Sequence, residues 1–87
     1  MTYKCYVSTV GNPDYNQYAP ISNPEWLEAD TIQGLRKQAD SYKEEWNVCG
    51  GNWKNPIVYQ VNGKAKKRIG YLSYNLRLWA KEGEEIT

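Results

Sequence analysis

Eighty-seven residues are enough for one domain, residues 1–87, and too few for two hydrophobic cores. A chain that is 40% hydrophobic, with four Trp and eight Tyr, is not composed like a disordered one. Net charge is +1, well short of the strongly basic balance of a dedicated nucleic-acid binder.

No apolar run approaches the roughly 18 residues that span a bilayer, and the opening MTYKCYVSTV lacks a secretory pattern. The expectation is a cytoplasmic protein with no membrane partner. There is no His, and Cys5 and Cys49 show no metal-ligand spacing, so neither a metal nor a cofactor is expected. Both cysteines read as buried free thiols. Phe is absent, so every aromatic ring carries an O–H or N–H that needs a partner. Twelve such rings are too many for a small core, and several are expected on an outer face.

The charge is unevenly distributed. Between positions 46 and 81 lie Lys54, Lys64, Lys66, Lys67, Arg68, Arg77 and Lys81 with no carboxylate at all. Acidic residues are confined to the first half and to the tail, at Glu82, Glu84 and Glu85.

In chain order, Thr2 to Val10 alternates and is rich in β-branched and aromatic residues, which predicts a strand. Tyr3, Cys5, Val7 and Thr9 share one side; Lys4, Tyr6, Ser8 and Val10 share the other. Residues 11–24 carry Gly11, Pro13, Pro20 and Pro24 among Asn and Asp, a long loop bearing Tyr15 and Tyr18. A short strand is expected around Trp26 to Ala29.

Asp30 then opens a helix over about Thr31 to Asn47, with Asp30 and Gln33 read as a capping box. Ile32, Leu35, Ala39, Tyr42 and Trp46 recur at steps of three and four, one apolar stripe. Gly50-Gly51 is read as the helix stop, with Trp53 packing back on the sheet. Pro56 to Val61 and Lys66 to Tyr74 predict a hairpin around Asn62-Gly63. Leu76, Leu78 and Trp79 are expected as anchors before a frayed acidic tail, 82–87. The sum is an α+β fold: a small antiparallel sheet of three to four strands packed on one amphipathic helix.

A helix followed by Gly50-Gly51-Asn52-Trp53, a strand, and then Ser73-Tyr74-Asn75 with Arg77-Leu78-Trp79 resembles a group of small accessory proteins carried by phages, prophages and plasmids. The resemblance covers roughly residues 31–79. Cys49 and Leu76 stand where that pattern has glycine. A branched side chain at 76 argues against a tight turn there, so the last strand is expected to run on. The resemblance implies an accessory protein of a mobile element working in a bacterial host.

Catalysis is not expected. The commonest general base is missing, Ser8, Ser22, Ser41 and Ser73 lie in no nucleophile-elbow pattern, and no Gly-rich phosphate loop precedes a helix. Binding remains. Tyr and Trp anchor protein interfaces, and phage proteins of this size commonly occupy a site on a host protein, for example in CRISPR or restriction systems. A host protein is therefore the expected partner. The alternative is nucleic acid, held by the basic hairpin and stacked on Tyr and Trp. A further alternative is a small nucleotide between Trp53, Trp79 and the long loop. The expected contact residues are Tyr15, Tyr18, Lys64, Lys66, Lys67, Arg68, Arg77 and Trp79. Against these stands a bland reading, in which Tyr and Trp merely replace Phe and the lysines solubilise a hairpin tip. An exposed apolar face would also suit a homodimer.

Overall fold

The computed structural model describes residues 1–80 and 85–86. Strand β1 (Thr2–Val7) forms where the alternation is cleanest, and β2 (Glu25–Ala29) pairs along one side of it. Helix α1 (Ile32–Trp46) follows, then β3 (Ile57–Asn62) and β4 (Ala65–Leu72). Two-residue strands β5 (Leu78–Trp79) and β6 (Glu85–Ile86) complete an antiparallel sheet of order β2-β1-β3-β4-β5-β6. The α+β architecture is as expected, whereas the described residues form six strands in place of the three to four read from sequence. Strands of two residues leave no periodicity to detect.

The core lies between α1 and one face of the sheet. Leu35, Ala39 and Tyr42 of the stripe are buried against Cys5, Val7 and Leu27, with Ile32 and Trp46 partly buried at its ends. The helix covers β1 and β2. Val48 and Trp53, from the connection after the helix, join Val58, Leu72 and Leu78 in the same buried cluster. Burying each large apolar side chain contributes about 1.5–3 kcal/mol. No helix among the described residues is long and apolar enough to cross a membrane.

Both ends of α1 differ from the expected chemistry. Thr31, rather than Asp30, is the N-cap: it has extended backbone, and its hydroxyl accepts from Gly34 N at 2.9 Å. A Cβ on Gly34 would crowd that hydroxyl and the Ala29 side chain, so glycine lets β2 and the cap pack together. At the other end Asn47 takes the left-handed cap (φ 55°), ahead of Gly50. The hairpin turn is Gly63-Lys64, closed by the Asn62–Ala65 pair, and the positive φ of Gly63 (60°) suits the first central position of a primed turn.

Leu76 corrects a second expectation. Ser73 to Arg77 is a tight turn, with Leu76 N donating to the Ser73 carbonyl at 2.8 Å and Ser73 N to the Arg77 carbonyl at 3.0 Å. Leu76 adopts φ 64° to make it. The chain thus keeps the turn that glycine would favour and accepts a leucine in the left-handed region. The turn returns Leu78 and Trp79 beside Leu72 and Tyr71. Of the tail expected to fray, Glu85 and Ile86 are a strand; the rest, 82–84 and 87, lies outside the described residues. The cysteines also part company: Cys5 is buried in the core and Cys49 is exposed.

Candidate functional site

The face of the sheet away from α1 is uncovered, and the register decides what it carries. Cys5 faces the core, so its neighbours Lys4 and Tyr6 face outward. Tyr6 pairs with Trp26, and Lys4 pairs with Glu28 on one side and Tyr59 on the other. Directly opposed residues share a face. Tyr6, Trp26 and Tyr59 therefore stand side by side on that face, Trp26 at 53% and Tyr6 at 45% exposure and Tyr59 half-buried. Their ring centroids lie 5.1 Å apart for Tyr6–Trp26 and 6.5 Å for Trp26–Tyr59, tilted by 51° and 47°.

A β-bulge adds the cations. Val58 pairs with Gly70, but Tyr59 pairs with Arg68, which leaves Ile69 as an extra residue on β4. Without it, strict alternation would put Lys66 and Arg68 on the same side as buried Gly70 and Leu72. The inserted residue flips them outward and sends Lys67 to the inner side, opposite Gln60. Lys66 Nζ lies 4.1 Å from the Tyr59 ring centroid and 5.3 Å from that of Trp26, a cation–π arrangement. Lys4 forms an ion pair with Glu28 at 3.5 Å.

Beside the rings runs a groove of about 540 Å³, lined by Tyr6, Ser8, Trp26, Lys54, Asn55, Pro56, Ile57 and Tyr59. Its wall is the connection into β3, where Asn55 takes a left-handed conformation (φ 51°). The lining is mainly aromatic and aliphatic with one ammonium and a few hydroxyl and amide groups, the character of a binding cleft. Among the described residues no three His, Cys, Asp or Glu come together as a metal site would require.

The residues singled out from sequence do not form one patch. Lys66 and Arg68 belong to the open face. Lys64 is on the hairpin turn and Lys67 points to the inner side. Tyr15 and Tyr18 are exposed on the long loop, beyond the end of β1 where Thr9 bridges Trp53; the hairpin lies past the other end, where Thr2 pairs with Val61. Arg77 pairs with Glu85 at 3.8 Å. Trp79 is half-buried, its Nε1 donating to Ser73 Oγ at 3.1 Å. Sequence reasoning missed Tyr6, Trp26, Tyr59 and Lys54, although the alternation of β1 already set Lys4 and Tyr6 on the side away from Cys5.

Cys49-Gly50-Gly51-Asn52-Trp53 serves the fold. Asn52 is buried; its amide nitrogen donates to the Val10 carbonyl (2.9 Å) and Gln17 Oε1 (3.0 Å), its carbonyl accepts from Val10 N (2.9 Å), and its Oδ1 accepts from Cys49 N (3.3 Å). A Cβ on Gly51 would meet the Asn12 side-chain amide, which accepts from Asp14 N and would have to shift to admit it. Trp53 is buried and donates to the Leu72 carbonyl at 3.0 Å, which removes it as the wall of an open nucleotide pocket. The long loop is pinned at its far end as well. Thr9 Oγ1, Ser22 Oγ and the Tyr42 hydroxyl form a buried chain of 2.8 and 2.6 Å, and Tyr42 donates to the Asn23 carbonyl at 2.8 Å.

Compared with protein-family models, with curated proteins and with solved structures, the chain matches none.

Proposed function

We propose that this chain is a non-catalytic binding protein of a phage or other mobile element that antagonises a host defence system, such as CRISPR or restriction, by protein–protein contact through the open face of its sheet. The observation that carries the reading is the outward-facing Tyr6–Trp26–Tyr59 cluster, with Tyr6 and Trp26 exposed and Lys66 over two of its rings. Aromatic side chains this large cost free energy in water and contribute most when a partner desolvates them. Trp and Tyr flanked by basic groups are also the composition of interface hot spots. The mobile-element context rests on the helix–Gly50-Gly51-Asn52-Trp53–Ser73-Tyr74-Asn75 pattern alone.

The test is capture from nuclease-treated bacterial lysate at moderate salt, with wild-type chain and Trp26→Ala side by side. A discrete protein retained by wild type and lost with Trp26→Ala is the expected result; equal recovery on both would sink the reading. A second reading, single-stranded nucleic acid, draws support from the acid-free stretch 46–81. It predicts recovery of nucleic acid in a parallel lysate without nuclease, falling steeply as salt rises.

A further inference from the structure

We infer that the groove on the open face docks an extended acidic segment of a partner protein, with a bulky apolar side chain entering between Tyr6, Trp26, Pro56 and Ile57 and flanking carboxylates meeting Lys54 and Lys66. The inference rests on the reading of this face as the contact surface. Charge complementarity names the occupant. Around the groove the face presents Lys4, Lys54, Lys66 and Arg68 against Glu28, which Lys4 engages; Glu85, opposite Trp79 at the far edge of the same face, is engaged by Arg77. Lys54, Lys66 and Arg68 have no carboxylate partner among the described residues. An apolar cleft rimmed by unpaired ammonium groups is complementary to an apolar anchor between acids, and such pairing also steers the encounter.

The ring geometry favours a peptide over a nucleic-acid strand. Stacked bases need free ring faces, but the rings here are tilted by 51° and 47° and the Lys66 ammonium lies over Tyr59 and Trp26. A carboxylate can meet Lys66 where it stands, whereas a base would have to displace it. The bulge also splits the basic run: Lys66 and Arg68 face outward and Lys67 inward, which breaks any continuous phosphate track along β4.

The decisive experiment selects random dodecamer peptides displayed on filamentous particles against the folded full-length chain, with counter-selection on the Trp26→Ala/Lys66→Glu double variant. The expected consensus is a bulky apolar residue flanked by Asp or Glu. A synthetic peptide of that consensus should shift the amide resonances of Tyr6, Trp26, Ile57 and Tyr59. Its affinity should fall at least about tenfold in Lys54→Glu and in Lys66→Glu and hold in Lys67→Glu, all confirmed folded by circular dichroism. No enrichment, a consensus without acids, or affinity indifferent to both charge reversals overturns the inference. So does a labelled oligothymidine that shifts the same amides, in favour of nucleic acid. A dimer in sedimentation that Trp26→Ala dissolves overturns it in favour of a second copy of the chain. If lysate capture still depends on Trp26 while the consensus lacks acids, the contact surface stands and only the acidic segment fails; if capture ignores Trp26, both fail.

Discussion

At the scale of single residues, Leu76 is the clearest departure from backbone preference. A leucine in the left-handed region costs roughly 1–2 kcal/mol, yet its side chain packs partly buried against the core. Leu76→Gly relieves the first and loses the second, so its stability in urea should stay within about 1 kcal/mol of wild type. Leu76→Ala keeps the unfavourable φ and loses the packing, and should be the less stable of the two. The reverse order would show that the turn stores no strain. The cysteines give a second residue-scale prediction. Cys49 should react with a thiol reagent in the native state and Cys5 only on unfolding. Burial pushes the Cys5 thiol from 9.0 up to about 12. Its neutral form is thus favoured in the folded chain, and its contribution is fully present below about pH 9. That contribution is lost as pH climbs toward 12, at up to about 1.4 kcal/mol per pH unit. Burial raises the Tyr42 hydroxyl above 10.0 as well, with the same sign. Cys5→Ala should therefore lower stability at neutral pH but flatten the alkaline decline near pH 9–10.

At the scale of elements, the hydrogen-bonded lock between the 48–53 connection and the 8–23 loop accounts for Gly51 and the buried Asn52. Gly51→Ala should destabilise the fold, because its Cβ meets the Asn12 amide, while Gly50→Ala should be nearly silent, its Cβ reaching only ordinary contact with the Tyr74 ring. Asn52→Ala leaves Val10, Gln17 and Cys49 without their part-buried partner and should cost about 1–2 kcal/mol; Tyr42→Phe should cost about 1–2. Urea midpoints measure all four. The helix, the first strand and the hairpin were legible because their apolar spacing is long and regular, as in Ile32 to Trp46. What escaped had a local cause each time. Thr31 won the cap from Asp30 because its hydroxyl, not the carboxylate, reaches Gly34 N. The bulge at Ile69 reversed the faces of Lys66, Lys67 and Arg68, a one-residue event that no pattern of alternation reveals. The rings at Tyr6, Trp26 and Tyr59 come from three strands, and only the register brings them together.

At the scale of the whole molecule, the two faces of the sheet do different work, and a pair of adjacent residues can test it. On the proposed function, Lys66→Glu should abolish partner capture while Lys67→Glu, one position along, leaves it intact; equal effects would mean that overall charge, rather than the face, governs binding. Trp26→Ala should cost little stability, since Trp26 is more than half exposed. The position of β1 carries a further consequence, for the order of assembly. Strand β1, made before both of its partners, lies inside the sheet, with β2 on one flank and β3 on the other, and Cys5 must wait about fifty residues for Val58. Until then a nascent chain holding β1, β2 and α1 has one flank of β1 bare, an edge that other chains can join. Completion of the sheet thus depends on a long-range pairing. A chain truncated before Ile57 should be readily cut by protease within residues 2–29, where the full chain resists.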